Sequence, residues 1–159
     1  MSHRRREQTP TVTTRRVPDG GMASATVLGA LEFPGVTAAV GDARRMVRRL
    51  LAPIADPAVL HDIVLLTSEL AANAIRHTSS ADGVFTVAVL DVGDAYRVEV
   101  IDAGGSADVP RVLYVSDATY GRGMFLVECL ARDWGTWADD AGRTTWFEIV
   151  KTPDQARNS

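Results

Sequence analysis

The stretch Ser68-Glu69-Leu70-Ala71-Ala72-Asn73-Ala74-Ile75-Arg76-His77 reads as the middle of a helix, and the rest of the chain is arranged around it. A helix turns about 100° per residue, so Glu69 and Asn73 project one above the other, and Arg76 and His77 continue that face one turn later. Val59, Ile63, Leu66, Leu70 and Ala74 recur at three- and four-residue steps and form a separate apolar stripe that would face a core. A carboxylate and a carboxamide one turn apart suit two tasks: holding a divalent cation with hard oxygen ligands, and taking a proton from a nearby hydroxyl. A surface glutamate beside a polar helix residue has the same spacing, so this stretch alone leaves both readings open.

Working outward, Asp56-Pro57 supplies an N-cap and a proline at the first helical position, which opens this helix. Before it, residues 36–51 repeat apolar side chains at Val36, Ala39, Val40, Ala43, Met46, Val47, Leu50 and Leu51, and Pro53 ends that run. The opposite face carries Arg44, Arg45, Arg48 and Arg49, a docking surface or, by default, a solvated helix face. Residues 25–33 read as a strand closed by Pro34. Downstream, the β-branched runs 84–90 and 96–101 alternate with period two around Asp91-Val92-Gly93-Asp94 and spell a hairpin. Asp102-Ala103-Gly104-Gly105 follows, and residues 106–120, with Pro110 and no clear period, are expected to form a mobile loop. Gly121-Arg122-Gly123 opens a further helix over 124–132, and strands over 134–138 and 144–150 flank a turn at Asp140-Ala141-Gly142. The order β, α, α, β, β, loop, α, β, β predicts an α+β two-layer sandwich, with helices on one face of a mixed, mainly antiparallel sheet.

At 159 residues the chain can bury a full core in one domain. Residues 1–24 have no hydrophobic period and are expected to be disordered, with the domain spanning 25–151 and a short tail over 152–159. The first 21 residues carry five Arg against Glu7 and Asp19, or +3, so a net charge of −3 leaves the remainder at −6. Cys129 is the only cysteine, and its neighbours Met124, Phe125, Leu126, Val127 and Leu130 suggest a buried thiol in a reducing compartment. The arginine-bearing N-terminus lacks an apolar h-region, and no stretch approaches 18 apolar residues by sequence, so a cytoplasmic protein outside the membrane is expected. Of the 17 basic residues all but Lys151 are arginine. That excludes a P-loop, which needs Gly-Lys-Ser/Thr, and a eukaryotic-type protein kinase, which needs its strand lysine.

Two weak signals complete a pocket. Gly121 and Gly123 flank a helix start, where unpaired amides and the positive end of the helix dipole favour an anion such as phosphate. Asp102 ends a hydrophobic strand beside glycines, where a carboxylate can accept a hydrogen bond from an exocyclic amine while a flat ring approaches. A plain turn reads the same way.

Taken together, the E-x-x-x-N helix, the strand ending in D-x-G, the loop, the G-x-G helix and the strand with a threonine resemble the Bergerat ATP-binding fold of gyrase, histidine kinases and heat-shock chaperone ATPases. Residues 68–77, Gly121-Arg122-Gly123-Met124-Phe125-Leu126-Val127 and Gly142-Arg143-Thr144-Thr145-Trp146-Phe147-Glu148 look most like the anti-sigma-factor serine kinases of the RsbW/SpoIIAB type in their actinobacterial form. The resemblance covers residues 25–150. It implies that ATP and Mg²⁺ are bound, with Asn73 as the metal ligand and Glu69 activating the attacking hydroxyl. It also implies that Asp102 accepts from the adenine amine with Gly104 beneath the ring, that Gly121, Arg122 and Gly123 cradle phosphates, and that residues 106–120 act as a lid. Thr144 would sit near the adenine through water, and Arg76 would reach a phosphate. His77 matches the family pattern, with a structural role at the helix end equally open. Two departures stand out: Ser106 follows Gly104-Gly105 where many relatives have a further glycine, and position 143 is Arg where Lys is expected, which changes hydrogen-bonding geometry.

The resemblance implies a regulatory serine/threonine kinase that phosphorylates an anti-anti-sigma (STAS-type) partner and can sequester a sigma factor, with a homodimer suggested by the family. Phosphoryl transfer asks mainly for positioning and charge neutralisation, which metal, amides and one base supply. The alternative is a nucleotide-dependent protein-binding switch without significant kinase activity. A histidine-kinase catalytic domain would need a phosphoacceptor helix pair that residues 1–24 do not spell. A nucleic-acid binder using the arginines would show salt-sensitive affinity.

Overall fold

The computed structural model describes residues 25–77, 83–102, 121–139 and 142–152. The expected N-terminal tail, Gly104, the lid over 106–120, and the end of the C-terminal tail lie outside the described residues. In chain order the elements are β1 (Thr26–Pro34), α1 (Ala39–Leu51), α2 (Pro57–His77), β2 (Val84–Asp91), β3 (Ala95–Asp102), α3 (Gly121–Leu130), β4 (Asp133–Asp139) and β5 (Gly142–Val150).

The five strands form one sheet in the order β1-β2-β3-β5-β4, and every pairing is antiparallel. The mixed character allowed for by the sequence therefore reduces to a wholly antiparallel sheet among the described strands. The β2–β3 hairpin turns where expected, because Asp91 Oδ1 accepts from the Gly93 amide at 2.9 Å and Gly93 takes φ 99°, a left-handed conformation that glycine adopts without strain. Gly142, at φ 135°, does the same at the start of β5.

Helix starts follow local chemistry. Asp56 Oδ1 accepts from the Ala58 amide at 2.9 Å and caps α2 as its sequence predicts. Helix α1 begins at Ala39 rather than at Val36, since the Val36 amide donates to the Pro34 carbonyl and the Ala39 amide to the Val36 carbonyl, a turn that uses up the first residues and leaves Val36 exposed. From there Ala39, Ala43, Met46, Val47 and Leu51 are buried and the four arginines are exposed.

Period-two alternation splits the sheet into two faces. Phe33, Phe85, Val87, Val89, Tyr96, Val98, Val100, Phe147 and Ile149 join Ala43, Val47, Ile63, Leu66, Leu70 and Val127 in one core, so the helices lie on one face. Each fully buried apolar side chain contributes about 1.5–3 kcal/mol, and α2 supplies the largest share among the helices: Val59, Ile63, Val64, Leu66, Leu70, Ala71 and Ala74.

That composition corrects one sequence expectation. Residues Pro57–Arg76 are long and apolar enough to cross a membrane by length and composition. The apolar stripe is spent on the core instead, and α2 packs against α1, α3, β2, β3 and β5. A second correction concerns Cys129, which is exposed. In α3 the inward residue is Val127, flanked by Leu126 and Leu130, and a position two residues on is rotated by about 200°, to the outer face.

Candidate functional site

Helix α2 presents its polar residues along one border of the buried stripe. By helical geometry Glu69, Asn73 and Arg76 fall in a sector of about 60°, next to the side of the stripe formed by Leu66 and Leu70. Glu69 and Asn73 are half-buried, as a border position dictates, and Arg76 is exposed with its Nε donating to the Ala72 carbonyl at 3.5 Å. Arg76 is thereby turned back along its own helix. His77 is the last residue of α2.

The sheet brings Asp102 to the same end of the domain. Only residues 78–83 separate α2 from β2, and Phe85, near the start of β2, is the register partner of Asp102 at the end of β3. Asp102 is buried, 7 % exposed, on the helix-bearing face that also holds Val98 and Val100. Helix α2 packs on β3 and β5, the strands that form this part of the floor.

Gly121 and Gly123 lie inside the first turn of α3 rather than before it, since the helix begins at Gly121. The other end of α3 is anchored at the far end of the sheet, where the Arg132 amide donates to the Glu148 carbonyl at 2.8 Å. Ten residues of helix span about 15 Å, enough to carry the N-terminus of α3 back toward the Asp102 end. A helix start in general presents amide donors and the positive end of the helix dipole.

Register overturns the expectation for Thr144. It pairs with Ile101 and Trp137, so it projects from the face opposite to Asp102, beside Trp146, Glu148 and Arg97. The β5 residues on the Asp102 face are Arg143, directly opposite Asp102, and Thr145, opposite Val100 and bonded through Oγ1 to Thr136 Oγ1 at 3.4 Å. The register puts Thr145 rather than Thr144 on the Asp102 face, and the sequence had drawn attention to Arg143 only for the hydrogen-bonding geometry of arginine in place of lysine. Period-two counting along β5 separates the two threonines, but which of them shares a face with Asp102 depends on cross-strand register, which no local pattern encodes.

The opposite face holds a charged cluster that the sequence reading passed over. Arg97 donates from Nε to Glu99 Oε1 at 3.0 Å and from an NH group to Glu148 Oε1 at 3.3 Å, and Glu148 Oε2 accepts from Arg132 at 3.0 Å. Burial pushes the Glu99 carboxyl up from its ordinary range, and the Arg97 charge and hydrogen bond only partly offset that. These groups lie across the sheet from Asp102 and are structural.

The donor set fits a nucleotide with its metal. Among the described residues no cluster of three or more His, Cys, Asp or Glu can hold an ion by itself. Asn73, half-buried on the border of α2, would offer a carboxamide oxygen to a Mg²⁺ held mainly by phosphates and water. Asp102 is a buried acceptor suited to an amine, and the first turn of α3 carries Gly121 and Gly123, residues without a side chain to screen backbone amides from a phosphate.

An antiparallel sheet covered on one face by helices, with the polar border of α2 and the buried Asp102 carboxylate on that face, defines an α+β two-layer domain with a polar site on its helix-bearing side. Comparison with known families makes this specific: residues 33–149 match the histidine kinase-like ATPase domain, and the chain belongs to that family. Membership implies an ATP-binding domain. Among solved structures it is similar to the RsbU and RsbW domains of Rv1364c from Mycobacterium tuberculosis, with a TM-score of 0.58 and 23 % identity. The match covers 79 % of this chain and 33 % of that one, so the chain spans about a third of its neighbour's length, and the likeness is one of fold. No curated protein matches the sequence.

Proposed function

We propose that the chain is a cytoplasmic ATP-dependent serine/threonine protein kinase and anti-sigma factor. It phosphorylates a hydroxyl on a STAS-type anti-anti-sigma partner and sequesters a sigma factor. The observation that carries this reading is the Glu69/Asn73 pair, half-buried on the border of α2 within a histidine kinase-like ATPase domain. A domain that only bound nucleotide would need the metal ligand but not a carboxylate one turn before it. The fold likeness to a structure containing an RsbW domain supports the same assignment.

Mg²⁺, when bound, would supply neutralisation of phosphate charge. Asn73 would hold it through the carboxamide oxygen. Glu69 takes the proton from the partner's hydroxyl as its oxygen bonds to the γ-phosphorus, while the bond to the β-bridging oxygen breaks and ADP leaves. A base so placed contributes about 10²- to 10⁴-fold in rate. Asp102 accepts from the adenine amine, and the Gly121, Arg122 and Gly123 amides at the start of α3 receive phosphate oxygens. Arg76 extends toward a phosphate after leaving its own-helix carbonyl.

The test is phosphate transfer from labelled ATP to a serine-bearing STAS domain, measured for wild type and Glu69→Ala. Loss of transfer with nucleotide binding retained supports the kinase reading. Undiminished transfer removes Glu69 as the base, and binding without any transfer in wild type leaves a nucleotide-dependent binding switch.

A further inference from the structure

Of the described side chains of α3 only Val127 is buried, with Leu126 and Leu130 half-buried beside it. So little apolar burial restrains a helix weakly against tilting. A stronger tie lies just past its C-terminal end, at Arg132. The Arg132 amide donates to the Glu148 carbonyl at 2.8 Å. Its guanidinium donates to Asp94 Oδ2 in the β2–β3 turn and, at 3.0 Å, to Glu148 Oε2 on β5. Glu148 is itself held by Arg97 at 3.3 Å, so the anchor is fixed to the sheet. A single backbone bond acts as a pivot, whereas a rigid guanidinium fork reaching two carboxylates opposes rotation about it.

We propose that Arg132 is a positioning residue for nucleotide binding: by bridging Asp94 and Glu148 it fixes the direction of α3, and with it the first turn that carries Gly121 and Gly123. This rests on the reading that the first turn of α3 receives the phosphates of ATP. Ten residues of helix make a lever of about 15 Å, so a tilt of about 4° at the Arg132 end moves the first turn by about 1 Å. Hydrogen bonds weaken steeply with such changes of distance and angle. Arg132, beyond the opposite end of the helix, acts through α3 and not on the ligand. Loss of the bridge costs binding no more than the contacts themselves are worth. That is up to about fivefold for an exposed pair such as Arg132–Asp94, with the more shielded pair to Glu148 adding to it. Folding is largely spared, because Glu148 keeps Arg97 when Arg132 is replaced and no buried charge is orphaned.

The experiment is calorimetric titration of Mg-ATP into wild type, Arg132→Gln, Asp94→Asn and the double variant, at a temperature where circular dichroism shows each to be folded. The sign of the Asp94→Asn effect separates two explanations. Arg132→Gln removes a positive charge and Asp94→Asn a negative one, so charge alone acting on an anionic nucleotide weakens binding in the first and strengthens it in the second. Loss of the bridge weakens both. The expected losses are about fivefold or more for Arg132→Gln and about two- to threefold for Asp94→Asn. The double variant should lie within about twofold of Arg132→Gln, because the two residues share one contact. Unchanged affinity in Arg132→Gln overturns the proposal, and so does an Asp94→Asn variant that binds Mg-ATP as tightly as wild type or more tightly. The Asp94 side chain is 71 % exposed, so this second arm stands even if Arg132→Gln fails to fold. Fully additive losses in the double variant also overturn it, since the two residues then act separately. Wild type that does not bind Mg-ATP is a different failure, because it removes the ATP-binding reading itself.

Discussion

Arg97 lies over Trp146, with its guanidinium carbon 3.8 Å from the ring centroid, while the same guanidinium bonds to Glu99 and Glu148. Trp137 approaches it from further out, at 5.8 Å. The Arg97 side chain is 7 % exposed and that of Glu99 3 %, so this is a buried ion pair covered by an aromatic plane. Glu148 has a second cation in Arg132, but among the described residues only Arg97 pairs with Glu99.

Arg97→Met should therefore destabilise the domain by about 3–5 kcal/mol, because Glu99 is left as a buried charge without compensation. The double variant Arg97→Met/Glu99→Leu should recover most of that loss. Urea unfolding of the four members of the cycle measures both, and a double variant no more stable than Arg97→Met would show that stacking on Trp146 outweighs the ion pair.

The same cluster sets a pH dependence. Burial raises the Glu99 carboxyl above its ordinary value of 4.5. A carboxyl raised in the folded state binds its proton more tightly there than in the unfolded chain. Its contribution is thus fully present below about 4.5 and is lost as pH rises through the folded value. The stability of wild type relative to Glu99→Gln should fall across that window and then level off. A difference that stays flat from pH 4 upward would mean that Arg97 offsets the burial completely.

How far this architecture can be read from sequence is clearest in its strands and helices. The caps, the turn at Gly93 and the stripe on α2 are local: each needs a handful of neighbouring residues and a period, and each sits where the pattern put it. Residues 69 and 73 share a helix, so their spacing fixes their geometry. What failed was long-range. Thr144 and Thr145 are equivalent until β5 is set against β3, and the exposed Cys129 looked buried because its neighbours are apolar, although only some of them face inward. The buried Arg97 also defied its residue type, because its partners Glu99 and Glu148 lie two residues away and on another strand.

Gly135 is required by a contact rather than by a turn. A Cβ at this position would lie 2.9 Å from Trp146 Nε1 and 3.0 Å from two ring carbons. Trp146 is held under Arg97 and cannot give way without disturbing the ion pair. Gly135→Ala should cost about 1–3 kcal/mol by overpacking, whereas Gly41→Ala, whose nearest neighbours are arginine tips at 3.9 and 4.0 Å, should not destabilise α1. Thermal melts of the two variants provide the comparison.

Exposure of Cys129 predicts reactivity in the folded state. A small maleimide should label the native protein to completion at a rate close to that in denaturant, and Cys129→Ser should change stability by less than about 0.5 kcal/mol. Labelling that required unfolding would restore a buried thiol and reverse the orientation assigned to α3.

Asn73 links the fold to the ligand, and a melt with and without Mg-ATP separates the two. Ligand at about 100 times its dissociation constant stabilises the folded state by roughly 2.7 kcal/mol, a shift of several degrees for a domain of this size. Asn73 is half-buried at the edge of the apolar stripe, so Asn73→Ala removes a metal ligand without opening the core. Its melting temperature without nucleotide should stay near that of wild type, because alanine favours a helix interior. The increment from Mg-ATP should shrink in the variant, while the smaller increment from ATP with EDTA should be alike in both. If Mg-ATP protects Asn73→Ala and wild type equally, the metal is held elsewhere, and the border of α2 is not the catalytic edge.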